Sequence, residues 1–545
     1  MSPTIKNTTK MIKINFFVLL IFIPFEIILC QNINFPDANF KERLITNGID
    51  KNFDSEISVE EALAVTYLDI SGSELFPTIS NISGIEEFTN LDTLICSGNE
   101  IANIDSIGLI NLKYLNCSGN AFSHFNASVF PGLKVLICNP SDSLELNNPS
   151  LEQLDVQSNI FIDVSKSLVL KKLICLPSSS PSLANNKELE FIQCYAQSGQ
   201  INNIDLSNNP KLKYVDIWCN LTSIDLSNNP ELTYLNLRQN NILELDLSVN
   251  SKLERLNCAT NQLTSLDLSN NVNLLSVNCG QNNLTNLKVN GLFKMKILAC
   301  NNNLLTDINL NDNVDLEDLM IGRNLLDSLD LSKNLSLKYI YCENNSLISL
   351  DLIKNVNLID IECEENNLTI LNVYGLTKVT WINAWGNNLK NLNLSTNQAL
   401  TYLGLYHNFI DSLDLSHNYN LQVASLTFMP TLKRICVSEL PLTFTAHTDG
   451  SPNSYFEVCS FTSIRNRSTN RYSIYPNPAN DVVIIETPGH NITEVLMYDV
   501  SGKILLKNII VGDKLEINLS SFDDGIYILK ISNSEEIITR KILKE

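Results

Sequence analysis

Hydrophobic and polar residues alternate along the middle of the chain in a pattern that repeats every 21 residues. Each repeat reads L-x-x-L-x-(C/L)-x-x-N, and its first position falls at Leu232 and then at every 21st residue up to Leu421. The same step is kept over residues 91–133, whereas residues 151–212 carry a looser version. Alternating apolar positions predict a short strand with one buried face. Because one turn alone cannot bury that face, the turns are expected to stack with parallel strands.

An Asn follows each predicted strand, eight places after the first Leu of the repeat. Its side-chain amide can hydrogen-bond backbone groups of its own turn and of the next turn, which would otherwise be buried without partners. The spacing therefore predicts a ladder of Asn side chains along the array. The predicted ladder positions are Asn99, Asn120, Asn159, Asn220, Asn240, Asn261, Asn282, Asn303, Asn324, Asn345, Asn366, Asn387 and Asn408.

Ten of the 14 cysteines stand at the third inward position of the repeat. Cβ atoms on stacked parallel strands lie about 4.8 Å apart, which is longer than the ~3.8 Å that a disulfide usually needs. We therefore expect these cysteines to be buried free thiols that pack as small hydrophobic side chains. They are Cys96, Cys117, Cys138, Cys175, Cys194, Cys258, Cys279, Cys300, Cys342 and Cys363.

The repeat resembles the leucine-rich repeat family, whose pattern is L-x-x-L-x-L-x-x-N/C-x-L. The resemblance covers residues 65–430. It implies a curved solenoid of parallel β-strands with 21-residue turns, in which the solvent-facing side of the strands is concave. A ligand is expected to bind on that concave sheet.

Large aromatic and charged side chains occupy the solvent-facing strand positions, where packing does not require them. All three Trp residues fall there, and Tyr, Trp and Arg are the residues that carry most interface energy. Two aromatic-rich zones, residues 212–255 and 379–400, lie on either side of an acidic patch at residues 360–365. The alternative is that β-propensity alone places the rings on strands. The predicted ligand-binding residues are Tyr214, Trp218, Tyr234, Arg238, Arg255, Tyr339, Tyr341, Glu343, Trp381, Trp385, Tyr402, Tyr406 and His407.

A helical segment and an acidic loop precede the array, over residues 31–64. The loop from Asp50 to Glu61 resembles an EF-hand or dockerin-type calcium loop. Ser55 stands where that family normally has Gly, and a left-handed residue there costs about 1–2 kcal/mol. The resemblance implies weak calcium binding, with a Kd on the order of 10⁻⁴–10⁻³ M, and the alternative is an acidic cap without metal. The implied ligands are the side chains of Asp50, Asn52, Asp54, Ser58 and Glu61 and the carbonyl oxygen of Glu56.

Residues 431–462 are predicted to cover the other end of the array. The ladder Asn expected after Leu421 is replaced by Met429, and Cys436 and Cys459 lie outside the ladder phase. In an exported protein, two such cysteines suggest a disulfide over the open core. Its loop would contribute roughly 3 kcal/mol on the chain-entropy model. The alternative is two unpaired thiols.

The C-terminal part of the chain forms a separate predicted domain. Residues 463–470 are polar and aperiodic and are interpreted as a linker. Short alternating segments between residues 482 and 542 predict a small β-sandwich. Residues 471–545 resemble the type A C-terminal sorting domain of type IX secretion, which implies transport across the outer membrane by that machinery. The resemblance rests on Tyr475-Pro-Asn-Pro-Ala-Asn480, Tyr498-Asp-Val-Ser-Gly-Lys503, Gly525-Ile-Tyr-Ile-Leu-Lys530 and Arg540-Lys541.

Residues 1–30 have the pattern of a secretory signal peptide. Three lysines precede an apolar run from Phe16 to Ile23. This run is too short for a bilayer span, which needs roughly 20 residues. No other stretch resembles a transmembrane segment. With the sorting domain, this pattern predicts an extracellular or outer-membrane surface location in a Gram-negative bacterium.

The net charge narrows the list of partners. The chain has 38 Lys plus Arg and 59 Asp plus Glu, a formal net charge of −21, which argues against nucleic acid as a ligand. It has only 5 His and no G-x-S-x-G, H-E-x-x-H or phosphate-loop motif, so binding is predicted rather than catalysis.

The favoured prediction is protein–protein interaction or adhesion through the concave sheet. The first alternative is a glycan-binding adhesin, because exposed Trp and Tyr also stack on sugar rings. The second is a structural surface component stabilised by calcium. An acidic row on the opposite wall of the solenoid consists of Asp205, Asp225, Asp246 and Asp267. In that structural role the row would hold a cation, and the alternative is that it is a solvated face.

Overall fold

The chain divides into two compact units, Met1–Val458 and Cys459–Glu545. The predicted signal peptide (1–30) and the predicted linker (463–470) lie outside the part of the chain that the structure describes. This computed structural model describes residues 31–74, 76–104, 108–196, 201–459, 473–476, 478–486, 494–499, 503–508, 514–532 and 537–544.

Two short α-helices stand at the start of the first unit: α1 (Ala38–Thr46) and α2 (Val59–Leu63). Asp37 caps α1 by accepting hydrogen bonds from two backbone amides, and Ser58 and Glu61 form a capping box at α2. Phe40 of α1 is fully buried. These caps and the buried ring fix both helices against the first turns of the array. Two 3₁₀ turns follow, at Ile85–Glu87 and Ala127–Val129.

Short strands make up the rest of the first unit. The earlier strands are β1 (Tyr67–Asp69), β2 (Thr93–Ile95), β3 (Tyr114–Asn116), β4 (His124–Asn126), β5 (Val135–Cys138), β6 (Ser143–Glu145), β7 (Gln153–Ile160), β8 (Lys172–Pro177), β9 (Phe191–Tyr195), β10 (Tyr214–Trp218), β11 (Tyr234–Asn236), β12 (Arg255–Asn257), β13 (Ser265–Asp267) and β14 (Ser276–Asn278). The later strands are β15 (Asn286–Lys288), β16 (Ile297–Ala299), β17 (Asp318–Met320), β18 (Tyr339–Tyr341), β19 (Ser349–Asp351), β20 (Asp360–Glu362), β21 (Ile370–Asn372), β22 (Trp381–Asn383), β23 (Tyr402–Gly404), β24 (Ser412–Asp414), β25 (Val423–Ser425), β26 (Arg434–Val437), β27 (Thr445–His447) and β28 (Tyr455–Val458).

A single 19-stranded sheet runs through this unit, and it is parallel throughout. Its strands follow one another in chain order, and in the regular part the partner of each residue stands 21 positions further on, as Leu256 pairs with Val277. The sheet confirms the solenoid predicted from the period. Its last strand is β27, which lies beyond residue 430. The members are β1, β2, β3, β5, β7, β8, β9, β10, β11, β12, β14, β16, β17, β18, β20, β22, β23, β25 and β27.

Smaller parallel sheets line the opposite wall of the solenoid. They are β4–β6, β13–β15, β19–β21 and β24–β26–β28. The apolar side chains of both walls form one continuous core, in which most Leu and Ile side chains are fully buried. The acidic row of this wall is exposed to solvent, and Asp205 and Asp225 each accept a hydrogen bond from the backbone amide of the Ser two residues on, at 2.9 Å.

The predicted Asn ladder forms along most of the main sheet. At Asn282, for example, Nδ2 donates to the carbonyls of Cys258 (3.0 Å) and Cys279 (3.1 Å), while Oδ1 accepts from the Leu263 amide (3.0 Å). The prediction is wrong at Asn159 and Asn220, whose side chains are exposed. The turns there depart from 21 residues, so the position eight places after the Leu no longer points inward.

A second Asn ladder runs through the turns that precede the strands, and the sequence pattern did not reveal it. Asn229 is typical, since its Nδ2 donates to the carbonyls of Leu206 (3.1 Å) and Asn209 (2.9 Å) of the preceding turn. These side chains therefore tie successive turns together on the side away from the main sheet. The members are Asn148, Asn186, Asn209, Asn229, Asn250, Asn271, Asn313, Asn334, Asn355, Asn397 and Asn418.

The ten ladder cysteines are free and buried. Burial raises the pKa of the Cys96 thiol to about 12, so this thiol remains protonated at neutral pH. Cys219 also lies in the core, with its Sγ 3.5 Å from the Sγ of Cys194. Cys436 and Cys459 differ from the others because both are disulfide-bonded.

The second unit contains two antiparallel sheets, β29–β30–β33 and β32–β31–β34–β35. Side chains from both sheets, among them Val483, Met497 and Leu529, form one hydrophobic core. This arrangement agrees with the predicted small sandwich and adds β29 to it. The strands are β29 (Ser473–Tyr475), β30 (Val482–Glu486), β31 (Glu494–Tyr498), β32 (Ile504–Asn508), β33 (Lys514–Asn518), β34 (Gly525–Ser532) and β35 (Ile537–Lys544).

Candidate ligand-binding face of the main sheet

The solvent-facing side of the 19-stranded sheet, which we call the strand face, carries all the predicted ligand-binding residues. Because the strands are parallel and in register, equivalent residues of successive turns form columns. The column at the start of the strands includes Tyr214, Tyr234, Arg255, Tyr339, Asp360, Trp381 and Tyr402. A second column, two residues further along, includes Asp216, Tyr341 and Glu362. A third column, four residues further along, includes Trp218, Arg238, Glu343, Glu364, Trp385 and Tyr406.

The first aromatic zone lies on β9 to β11. The rings of Phe191, Tyr214 and Tyr234 form a continuous stack, with 4.2 Å between neighbouring centroids and interplanar angles of 8° and 2°. The ammonium group of Lys172 lies 5.1 Å from the Phe191 ring centroid and covers one end of the stack. Trp218 meets Tyr195 edge-on at 6.4 Å. The rings of this zone therefore pack partly against one another.

A buried carboxylate anchors the polar groups of the first aromatic zone. Asp216 accepts a hydrogen bond from the Tyr195 hydroxyl (2.7 Å) and another from Asn236 Nδ2 (2.9 Å). Burial raises the pKa of Asp216, and those hydrogen bonds partly offset the effect. Above this network lies a cavity of about 790 Å³, whose lining includes Trp218 and Arg238. Trp218 is 50 % exposed, so a ring face is available at the cavity wall.

The second aromatic zone lies on β22 and β23 and in the turns that follow them. Trp381 stacks on Tyr402 with ring centroids 3.7 Å apart, and Trp385 stacks on Tyr406 at 4.8 Å. His407 stacks on Phe428 at 5.0 Å and extends the zone by one turn. The structure thus brings five predicted site residues together over two turns.

Four carboxylates lie next to the second aromatic zone, and we call them the acidic cluster: Glu343, Asp360, Glu362 and Glu364. The Glu343 side chain lies over Gly322, where any Cβ would collide with its carboxylate. One oxygen each of Glu343, Asp360 and Glu364 is enclosed and has no hydrogen-bond partner among the described residues. Asp360 also accepts a hydrogen bond from the Tyr341 side chain, but these three enclosed oxygens are acceptors without donors.

Burial and mutual repulsion perturb the titration of the acidic cluster. Burial first, then the charge of Glu362, raises the pKa of Asp360 to about 6. Burial, with the charges of Glu362 and Glu343, raises the pKa of Glu364 to about 7. The pKa of Glu343 is raised for the same reasons, although Arg323 opposes the shift. Burial also raises the pKa of Tyr341 to about 12. A cluster of this kind favours protons or external cations.

The remaining predicted residues connect these zones. Arg238 borders the cavity of the first aromatic zone, and Arg255 is exposed on the next strand. Tyr339 and Tyr341 stand on β18 beside Asp360 and Glu362. The strands between β12 and β17 present smaller side chains to solvent, such as Ser276 and Asn278.

The sequence pattern missed several contributors to the strand face. Phe191 and Tyr195 belong to the region of looser repeats, where the period gave no register. Asp216 gave no signal because a single Asp on a strand does not reveal its burial. Phe428 lies one turn beyond His407 at the same 21-residue step, so extension of the column would have identified it.

The acidic loop contains a left-handed backbone position at Ser55. Ser55 has φ +67°, the left-handed conformation for which Gly is usual at this position. Asp50 accepts the amides of Phe53 (2.7 Å) and Ser55 (3.0 Å), and Glu61 accepts the Lys51 amide (2.7 Å). These carboxylates therefore organise the loop through its own amides.

Two family models match parts of the chain. Residues 473–545 match a secretion system C-terminal sorting domain, and residues 89–127 match leucine-rich repeats in two copies. No curated protein matches the sequence. The first unit is thus a leucine-rich repeat solenoid, and the sorting domain indicates an exported protein that is surface-exposed or secreted.

Solved leucine-rich repeat structures resemble the fold at low sequence identity. YopM from Yersinia enterocolitica is 18% identical, with 73% of this chain and 93% of that chain covered and a TM-score of 0.55. The ectodomain of the plant receptor kinase GASSHO1/SCHENGEN3 from Arabidopsis thaliana is 18% identical, with 73% and 56% covered and a TM-score of 0.51. The functional domain of InlJ from Listeria monocytogenes is 23% identical, with 95% and 99% covered and a TM-score of 0.44.

None of the helices in the described ranges is long and apolar enough to cross a lipid bilayer.

Proposed function

We propose that this protein is exported and binds another protein through its strand face, as an adhesin or surface receptor does. The observation that carries the proposal is the placement of the three Trp side chains, because all of them lie on the strand face beside other aromatic rings. Trp218 and Trp381 are 50% and 36% exposed. Solvent-exposed Trp on a rigid sheet contributes a large apolar contact at a small entropic cost.

The route is part of the proposal. The sorting domain supports passage through the type IX machinery to the surface of a Gram-negative bacterium, or release from it. The plant receptor ectodomain is described in complex with CASPARIAN STRIP INTEGRITY FACTOR 2, so a solenoid of this fold can hold a ligand.

Binding of the full-length chain to proteins of host or neighbouring cell surfaces tests this function. The test variant carries Trp218→Ala, Trp381→Ala and Trp385→Ala, with folding checked by circular dichroism. The matched control carries Phe293→Ala, Tyr374→Ala and Tyr419→Ala, which remove exposed rings from turns outside the main sheet. We expect the test variant to lose most binding and the control to keep it. Equal binding by the two folded variants would refute the proposal.

A glycan is the second candidate ligand, and the cavity beside Trp218 favours it. An exposed indole face, an Arg, a Gln and an Asn around about 790 Å³ offer both a stacking surface and hydrogen-bonding groups. A glycan array probed with the full-length chain and with the single variant Trp218→Ala would test this. Sugar binding that survives in the variant would exclude the cavity as its site.

We also propose weak calcium binding at the acidic loop, as a stabilising ion of the N-terminal cap. The left-handed backbone at Ser55 supports it. A purely structural surface role would then depend on calcium and would tolerate loss of the three Trp side chains.

A further inference from the structure

The acidic cluster and the second aromatic zone form one continuous patch of the strand face. Asp360 pairs in register with Trp381, which pairs with Tyr402. At the ends of the same strands, Glu343, Glu364 and then Trp385 follow one another at 21-residue steps. Adjacent strands lie about 4.8 Å apart. Carboxylates and ring faces are therefore within reach of one bound segment.

The polar atoms that this patch leaves enclosed are all acceptors. They are one carboxylate oxygen each of Glu343, Asp360 and Glu364, and the amide oxygen of Asn383, none with a hydrogen-bond partner in the described part of the chain. Enclosed acceptors without partners are costly, and a ligand rich in donors removes that cost when the side chain turns its enclosed oxygen towards the ligand. Guanidinium offers five N–H donors and ammonium three, and neither has an acceptor.

The charge of the acidic cluster is not compensated as it is elsewhere in the array. Acids of other turns form ion pairs with a lysine of an adjacent turn, as Glu152 does with Lys134 and Lys171 at 3.1 and 2.9 Å. No ion pair within the described ranges includes a member of the cluster. Arg323 on the adjacent turn lowers the pKa of Glu343 through its charge but forms no ion pair with it. The patch thus has negative charge that is available to a partner.

We propose that this patch binds a basic polypeptide segment of the partner protein, whose Arg or Lys side chains contact the carboxylates and lie against the exposed rings. The inference rests on the proposed function, since it names the chemistry of the partner that the strand face recognises. Two features of the patch select this class. The carboxylates complement positive charge, and cations within ~6 Å of a Trp or Tyr ring face gain cation–π energy. Arg is the better fit, because its planar group both stacks and donates in pairs.

The titration of the cluster gives this proposal a distinctive signature. Apart from Arg323, whose charge acts on Glu343, the groups that face Asp360 and Glu364 are acidic or neutral. They are Asp318, Tyr341, Glu343, Glu362, Glu365, Trp381, Tyr402 and Tyr406. With pKa values of about 6 and about 7, Asp360 and Glu364 are partly protonated near neutral pH. A bound cation favours their ionised forms, so binding releases protons and its affinity increases from pH 5.5 to pH 8.

The test measures binding of a fluorescent twelve-residue peptide of alternating Arg and Gly to the full-length chain. A citrulline peptide of the same length keeps the shape and removes the charge. The test variant carries Glu343→Gln, Asp360→Asn and Glu364→Gln. The control variant carries Asp205→Asn, Asp225→Asn and Asp246→Asn, which remove the same charge from exposed positions of the opposite wall.

We expect the test variant to bind about tenfold more weakly than the wild type and the control variant to bind within about twofold of it. The affinity of the wild type should rise with pH and that of the test variant should not. Equal weakening in both variants, equal binding of the citrulline peptide, or a flat pH profile would each overturn the proposal. Displacement of the peptide by millimolar Ca²⁺ at constant ionic strength would identify the patch as a metal site instead.

The outcome also separates this inference from the proposed function. If the peptide fails to bind while the three Trp changes still abolish cell-surface binding, the strand face binds a protein of other chemistry. If the peptide binds but the Trp changes leave cell-surface binding intact, the patch is real and the proposed function is wrong.

Discussion

Two zones of the strand face, the first aromatic zone and the acidic cluster, use carboxylates in opposite ways. In the first aromatic zone, Lys172 covers the ring stack, and Tyr195 and Asn236 satisfy the carboxylate of Asp216. In the acidic cluster, Glu343 and Glu364 each keep an enclosed oxygen without a partner. The chain therefore completes one zone from its own side chains and leaves the other incomplete.

This difference shows that exposed rings and acids do not by themselves mark a site that requires a ligand. The first aromatic zone is satisfied without one, and what it offers is a cavity with a free indole face. The acidic cluster carries an energetic deficit in the free protein. A ligand gains most binding energy where it relieves such a deficit. Whether the enclosed polar atoms have hydrogen-bond partners therefore distinguishes the two zones better than their residue composition does.

The largest expected effect tests whether the backbone beneath the two zones is equivalent. Asn240 lies below the first aromatic zone and donates to Ile217 and Leu237 carbonyls at 2.8 Å, and Asn366 lies below the acidic cluster and donates to Cys342 and Cys363 carbonyls at 3.0 and 3.2 Å. Each Asn→Ala change leaves several buried groups unpaired, so each should lower the free energy of unfolding by about 3 kcal/mol or more.

Urea denaturation of the two Asn variants provides the measurement. Similar losses of stability would show that the difference between the two zones lies in their side chains and not in the backbone beneath them. A much smaller loss for Asn366→Ala would mean that the scaffold below the acidic cluster is already loose.

A smaller effect separates the zones directly. Asp216→Ala removes the acceptor of Tyr195 and Asn236, so it should cost about 1–3 kcal/mol of stability. Glu364→Gln removes a charge from a crowded cluster, so at pH 8 it should not destabilise the fold. The stability of each variant is measured as the urea midpoint of the full-length chain. Destabilisation by Glu364→Gln comparable to that by Asp216→Ala would contradict the distinction between a satisfied and an unsatisfied carboxylate.

The pH dependence of stability sharpens the same contrast. Because the pKa of Glu364 is raised to about 7, the folded chain binds more protons than the unfolded chain between about pH 4.5 and pH 7. The contribution of Glu364 to stability therefore falls as pH rises through that window. Glu364→Gln should accordingly raise the urea midpoint more at pH 8 than at pH 5. An equal change at the two pH values would show that this carboxyl titrates normally.

The smallest expected effect concerns calcium and should leave both zones unchanged. With a Kd of about 1 mM, 5 mM calcium would stabilise the fold by about 1 kcal/mol. Glu61→Gln should abolish that gain while it keeps an acceptor for the capping box. Thermal melts with calcium and with a chelator measure the effect. A gain that persists in Glu61→Gln would place calcium elsewhere.

The period of the sequence was sufficient to predict the solenoid, because a 21-residue step defines which side chains point inward. It failed where the turns change length, as at Asn159 and Asn220. The second Asn ladder was missed although Leu-Ser-Asn-Asn recurs, as at Leu226 to Asn229, because a polar tetrapeptide usually indicates an exposed turn. Asn229 of that turn is nonetheless fully buried, whereas Ser227 and Asn228 are exposed.

The site could be predicted only in part. Columns of Tyr and Trp follow from the period, so Trp381 and Tyr402 were expected to be neighbours. Whether a carboxylate finds a donor depends on side chains one turn away in a region of irregular length, as with Tyr195 and Asp216. Polar satisfaction is a property of three-dimensional packing, and the repeat pattern does not encode it.

The two Asn ladders give successive turns of the array nearly identical contacts with one another. A repeat can therefore be inserted or deleted without leaving backbone groups unpaired, provided that the complete repeat is inserted or deleted. The first aromatic zone and the acidic cluster are six strands apart along the main sheet, from β11 to β20, which corresponds to roughly 29 Å at 4.8 Å per strand. Duplication or deletion of one repeat between them would therefore change the distance between these two recognition elements by about 4.8 Å and leave each of them intact.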